Sequence, residues 1–192
     1  KQCEGNCIKN KIGKPTKIGK IEEYLGNLAE KNKWYKEEEK MLQCILPEKN
    51  VVRMNHIGST AIDNIWAKPI IDILVEVTTD AYFQDIKEIL VINGYTCMSQ
   101  SDNAVSFNKG YTQNGFAERV FHLHLRYAGD NNELYFRDYL MEHPEVAKEY
   151  ERLKLDLWKR YENDRDGYTN AKSEFVSKYT KEAKKKYGRK YC

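Results

Sequence analysis

No apolar run in this 192-residue chain approaches the roughly 20 residues that a membrane-spanning helix needs; the longest runs have the length of a strand. A helical channel or transporter is excluded, and the sequence reads as a soluble protein. A secretory signal is also missing, although the chain begins at Lys1 rather than Met, which leaves its natural N-terminus open. Cysteines are few and unpaired in spacing: Cys3, Cys7, Cys44, Cys97 and Cys192 are odd in number, and no two are separated by two residues. This argues against a disulfide framework or a zinc ribbon and for a reduced, cytoplasmic setting. Cys3 and Cys7 lack a second ligand pair nearby, so they are read as part of an ordinary N-terminal arm. An excess of one sign of charge is nearly absent as well. A net +3 gives no argument for nucleic acid by itself. Internal repeats and low-complexity linkers are absent.

Hydrophobic residues make up 41% of the chain, enough for one domain with a sizeable core, while two independent domains would be a tight fit. Residues 1–19 are rich in Lys, Gly and Asn without periodicity and read as a mobile arm. Residues 20–192 read as one domain, with a helical N-terminal segment (20–46), an α/β core (51–127) and a helical C-terminal part (133–188). In the first segment, Ile21, Tyr24, Leu25 and Leu28, then Trp34, Met41, Leu42 and Ile45, fit amphipathic helix ending before Pro47. Asp80 is the expected N-cap of a helix running to Asn93, which Gly94 stops. Strands are expected at 95–98, 105–108 and 118–127, the last with His122 and His124 on one face and Phe121, Leu123 and Leu125 on the other. Pro144 opens a helix carrying Val146, Tyr150, Leu153, Leu157 and Tyr161. A final helix carries Ala171, Phe175, Tyr179, Ala183 and Tyr187 and stops at Gly188. The cluster Lys178, Lys181, Lys184, Lys185, Lys186, Arg189 and Lys190 reads as a solvated basic helix end; contact with RNA is the rival reading. The fold class is α+β, a mixed sheet flanked by helices.

Chemistry concentrates between His56 and Val77. Val51 to Ile57 reads as a strand, Gly58-Ser59 as a tight turn, Thr60 to Ala67 as a short helix, and Ile70 to Val77 as a β-branched strand. One acid, Asp72, interrupts that apolar strand, with Leu74 and Glu76 on its face at period two. A carboxylate in such a place is costly unless it serves a metal, a cation or hydrogen-bond donors. A structural acid paired with Lys68 or Arg53 is the bland alternative.

The runs His56-Ile-Gly-Ser-Thr-Ala, Ala67-Lys-Pro-Ile-Ile-Asp-Ile, His122-Leu-His124, Phe136-Arg-Asp-Tyr-Leu and His143-Pro-Glu-Val-Ala, with Tyr168, Lys172 and Phe175, resemble the GrpB family of the nucleotidyltransferase superfamily over roughly residues 34–187. The superfamily pattern is a Gly-Ser turn followed about a dozen residues later by a strand with two alternating acids; here twelve residues separate Ser59 from Asp72. The resemblance implies a nucleotidyltransferase-like mixed sheet with a C-terminal helical extension. It also implies a nucleoside triphosphate held at Gly58, Ser59 and Thr60, with Lys68 and Lys109 as phosphate contacts, and a nucleotidyl group moved to a small acceptor. Asp72 would hold Mg²⁺ or Mn²⁺ and carry the chemistry. His122 and His124 are either further metal ligands, Zn²⁺ being second to Mg²⁺, or hydrogen-bonding groups that orient others. His56, Glu76, Arg137, Tyr168 and Lys172 complete the expected cleft, Arg137 being read chiefly as a brace paired with Asp138. One departure matters: the second acid is replaced by Leu74, and Glu76 lies another roughly 6.6 to 6.8 Å along the strand. A catalytically silent module for a nucleotide or coenzyme-A precursor is therefore the alternative, since related domains occur joined to dephospho-coenzyme A kinase. Neither a membrane nor nucleic acid is an expected partner.

Overall fold

The structure, a computed structural model, describes residues 34–63, 65–112, 115–161 and 164–191. The arm over 1–19, with Cys3 and Cys7, and the first part of the expected N-terminal helix lie outside the described residues. The elements run α1 (Trp34–Ile45), β1 (Val51–Ile57), β2 (Ile70–Val77), α2 (Phe83–Ile92), β3 (Thr96–Gln100), β4 (Ala104–Thr112), β5 (Gly115–Tyr127), α3 (Asn132–Glu142), α4 (Pro144–Arg160) and α5 (Arg165–Tyr187). The five strands form one mixed sheet in the order β1-β2-β5-β4-β3. β2 and β5 are parallel at its centre, and every other pairing is antiparallel.

Alternation of side chains decides what each face does. Ile71, Ile73, Val75 and Val77 of β2, with Phe121, Leu123 and Leu125 of β5, point to one face and pack with Trp34 and Leu42 of α1 and Phe83, Ile86 and Leu90 of α2. Each such side chain contributes about 1.5–3 kcal/mol when fully buried, so the register is fixed. A slip of one residue would drive Asp72, His122 and His124 into this core. On the opposite face, Leu74 packs with Ile57 and Leu134 at 0% exposure. Glu76 is sealed too. The Asp72 end of that face stays part-exposed.

The three C-terminal helices pack around a second cluster in which Phe136, Leu140, Val146, Ala147, Tyr150 and Tyr179 enclose Ile62 and Ile65. The connection from β1 to β2 is thus clamped by the helical part. Pro144 begins α4 as expected, since its missing N–H is an orphan there anyway. Gly188, at φ 58, ends α5.

Two local expectations are corrected. Among the described residues of 60–67 there is no α-helix: a single 3₁₀ turn spans Ser59–Ala61, and Ile62 is already extended. Burial of Ile62, Ile65, Trp66 and Ala67 against the helical part outweighs local helical preference. Asp80 is not an N-cap either. Its carboxylate is hydrogen-bonded to Thr78, and α2 starts at Phe83 after Tyr82 with no side-chain cap.

Candidate functional site

The sheet brings the turn and the acid together by register. Antiparallel pairing of β1 with β2 sets Ile57 opposite Asp72, so the residue after β1, Gly58, lies against the carboxylate. Gly58 has φ 72 and ψ −172, a conformation that L side chains rarely adopt. A Cβ there would collide with Oδ2 of Asp72 and sit 3.0 Å from its Cβ and Cγ. On the other side, parallel pairing sets Asp72 opposite His122 and Leu74 opposite His124. His122 Nδ1 is 3.3 Å and His124 Nε2 3.6 Å from Asp72 Oδ1. The Asp72 side chain keeps 26% of its surface exposed. Burial acts to raise its pKa, but the neighbouring His122 and His124 prevail and hold the carboxyl well below its ordinary range.

A chain of hydrogen bonds fixes the turn from behind. Thr60 is buried and donates its hydroxyl to the Ile70 carbonyl at 2.9 Å, while His56 Nε2 lies 3.0 Å from the same oxygen. Having spent its one proton, the hydroxyl accepts from His56, which is therefore the Nε2–H tautomer. Burial lowers the His56 pKa to about 4 against the pull of Asp72, which keeps the ring neutral, and Tyr35 stacks on it at 4.8 Å. Arg137 donates to the His56 carbonyl at 2.7 Å and pairs with Asp138 at 2.7 Å. It braces β1, as the bland reading of this residue holds.

The helical part supplies the positive charge. Lys154 of α4 is 3% exposed and donates to Ser59 Oγ at 2.9 Å and to the Trp66 carbonyl at 2.6 Å. Its ammonium lies 4.9 Å from the centre of the Tyr150 ring. Burial, with Lys172 nearby, lowers its pKa to about 7 against the pull of Glu151. Lys172 of α5 is half-buried, its pKa lowered by burial and by Lys68 and raised by Asp72, which places the three groups within one electrostatic neighbourhood. Lys172 also lies 4.3 Å over the ring of Tyr168, whose hydroxyl burial pushes up to about 12. Lys68 is exposed at the rim.

The structure therefore gathers Gly58, Ser59, Asp72, His122, His124, Lys68, Tyr168 and Lys172 around one cleft, with His56 and Thr60 beneath the turn. Two expected members lie elsewhere. Lys109 projects from the opposite face of the sheet, bonded to Glu38 of α1 at 2.6 Å and lying over Tyr95 and Phe121. Glu76 is fully buried, paired with Arg53 at 3.0 Å and accepting from Gly129 N–H at 2.8 Å and Asn131 Nδ2 at 3.0 Å. It ties the β5–α3 connection to the sheet. Lys154 is the residue that sequence reasoning missed. Its signal was its place in the apolar stripe of α4, four residues after Tyr150 and three before Leu157, where a charge is costly unless used.

This donor set does not fit a pair of divalent ions. Leu74 fills the second acid's place beside Asp72, and both imidazoles are directed at Asp72 Oδ1. Among the described residues, no group of three or more His, Cys, Asp and Glu side chains is arranged to hold a metal. Asp72 alone is suited to one ion carried on a ligand's phosphates, where such an ion would neutralise phosphate charge.

A mixed sheet with a glycine-serine turn set against a strand acid defines a nucleotidyltransferase-like fold. The poly(U) polymerase Cid1, in its H336N mutant bound to MgATP, superposes with a TM-score of 0.50 at 13% identity over 74% of this chain and 47% of that one, a likeness of fold alone. The chain belongs to the GrpB family, whose model, described as GrpB protein, matches residues 28–182. It is 40% identical to the glutamate-rich protein GrpB of Alkalihalophilus pseudofirmus over 77% of this chain and 87% of that protein. It is 35% identical to the UPF0157 protein YqkA of Bacillus subtilis over 80% of this chain, but it spans only 45% of YqkA. The crystal structure of the conserved protein GrpB from Enterococcus faecalis superposes with a TM-score of 0.66 at 34% identity, covering 80% of this chain and 92% of that one. No described helix is long and apolar enough to cross a membrane.

Proposed function

We propose that this protein binds the phosphate chain of a nucleoside triphosphate in the cleft between the Asp72 end of the sheet and helices α4 and α5. The carrying observation is the convergence of Lys154 on Ser59, with Lys172 and Lys68 beside it, at a turn whose glycine leaves the main chain bare. A polyanion suits these groups: lysines crowded together repel, and one of them is desolvated, so phosphate oxygens add counter-charge beyond that of Asp72 and Glu151. With a 3₁₀ turn in place of a helix, the amides of the turn and the lysines do this work, not a helix dipole.

In this reading Asp72 holds an ion on those phosphates, and nucleotidyl transfer to a small acceptor is the reaction; the part-exposed carboxylate beside the turn supports it. Leu74 favours the second reading, a module that holds a nucleotide or a coenzyme-A precursor without turning it over. Calorimetry with each common triphosphate, with and without Mg²⁺ or Mn²⁺, tests the binding. Lys154→Met is expected to weaken it about tenfold or more, and Asp72→Asn to remove any enhancement by the cation. Absence of binding by every triphosphate ends the proposal. Pyrophosphate release in the presence of a pool of small hydroxyl and amine acceptors separates transferase from silent module.

A further inference from the structure

We infer that the cleft has a second subsite, on the far side of Asp72 from the lysines, for a planar heteroaromatic ring, built by Tyr111, His122 and Phe116 on the β4–β5 hairpin. The inference rests on the phosphate-binding reading for its orientation. Strand order places the two halves: Ser59 follows β1 on one flank of Asp72, and His122 on β5 with Tyr111 on β4 forms the other flank. A ligand with phosphates on the β1 side and a flat ring on the β5 side would lie across the carboxylate.

The aromatic array is held in place. Tyr111 stacks on His122, with ring centres 5.9 Å apart and planes 17° from parallel, and its hydroxyl is 2.9 Å from His122 Nε2. With His122 Nδ1 turned to Asp72, the hydroxyl of Tyr111 donates to Nε2, and the ring is tethered through His122 to the acid. Phe116 meets Tyr111 edge-on at 5.1 Å. A break in register between Lys109 and Tyr111 produces this geometry. Tyr111 faces Phe116 rather than Arg119, and Gly110, at φ 90, lies so close to the Arg119 carbonyl that a Cβ would collide with it. Tyr111 and Phe116 remain 48% and 56% exposed. Exposed aromatic rings, pre-ordered at the mouth of a charged cleft, match the way proteins stack heterocycles.

The ring comes either from the triphosphate's own base or from an acceptor, and titration separates these. Inorganic tripolyphosphate, ATP, GTP, CTP and UTP, and the four nucleosides in the presence of tripolyphosphate are titrated into wild type, Tyr111→Ala, Tyr111→Phe and Phe116→Ala. If the base is the ligand, at least one triphosphate binds wild type on the order of tenfold tighter than tripolyphosphate, and Tyr111→Ala erases that excess while leaving tripolyphosphate affinity unchanged. If an acceptor is the ligand, a nucleoside binds only to the tripolyphosphate-loaded protein and is lost in Tyr111→Ala. Tyr111→Phe, which keeps the ring, retains most of either effect. Unchanged triphosphate and nucleoside affinities in Tyr111→Ala overturn the subsite. Failure of tripolyphosphate to bind overturns the phosphate reading instead, and the subsite is then decided by nucleoside titration alone.

Discussion

Oδ2 of Asp72 lies in the space that a side chain on Gly58 would occupy. The acid at the centre of the cleft and the turn beside it are therefore one unit: the carboxylate takes its position because residue 58 has no Cβ. Gly58→Ala must either displace Asp72 or distort a backbone at φ 72. The expected cost is about 1–3 kcal/mol, read as a drop in thermal midpoint, with loss of triphosphate binding in the fraction that folds. A variant with the wild-type midpoint and affinity would show that the turn tolerates a side chain and that the contact is incidental.

Lys154 links stability to pH. Its folded pKa, about 7, lies below the ordinary 10.5, so between these values the unfolded chain holds a proton that the folded one has released. Stability then rises as pH climbs from about 7 towards 10.5, by up to about 5 kcal/mol for this group. Urea unfolding at pH 7, 8 and 9 is expected to show a steeper rise for wild type than for Lys154→Met. Parallel curves would mean that Lys154 stays charged. Phosphate binding near pH 8 should also take up a proton, measurable as a dependence of calorimetric enthalpy on buffer ionisation.

His56 should remain neutral as its surroundings acidify. Its pKa of about 4 lies below the ordinary 6.5, so stability from this group is complete above pH 6.5 and is lost as pH falls through 4. Nitrogen-15 NMR of the ring is expected to report the Nε2–H tautomer at pH 6. An Nδ1–H tautomer would break the Thr60 chain inferred above.

Glu76 separates folding from binding. Glu76→Ala leaves Arg53 without its partner and the Gly129 and Asn131 donors without an acceptor, at an expected cost of about 3–5 kcal/mol. Urea unfolding should record that loss, while tripolyphosphate affinity of the folded protein stays at the wild-type value. A specific loss of affinity would return Glu76 to the cleft.

The fold was legible where periodicity is strong. Alternation along β2 and β5 placed Asp72, His122 and His124 on the face away from the core, and the stripes of α4 and α5 with Pro144 and Gly188 marked the last helices. Local signals failed where distant packing decided. Ile62, Ile65 and Trp66 are drawn out of a helix by residues far along the chain, and Asp80 finds Thr78 instead of a helix end. At the site, the turn and the acid stand close in sequence and were readable; Lys154 comes 95 residues after the Ser59 it bonds, and only the fold brings them together. Lys109 and Glu76 were misplaced for related reasons. A basic side chain near the motif was held by α1 across the sheet, and an acid with the right alternation was covered by the β5–α3 connection.

Leu74 sets a lower bound on what redesign would require. Its side chain is wedged between Ile57 and Leu134 with no free surface, so exchanging it for aspartate would bury a bare charge in hydrocarbon instead of restoring a ligand. Anyone wishing to install paired-ion chemistry in this scaffold would have to hollow out Leu134 as well and admit solvent beside the strand. A single substitution does not supply a second acid here; a rebuilt patch of interior does.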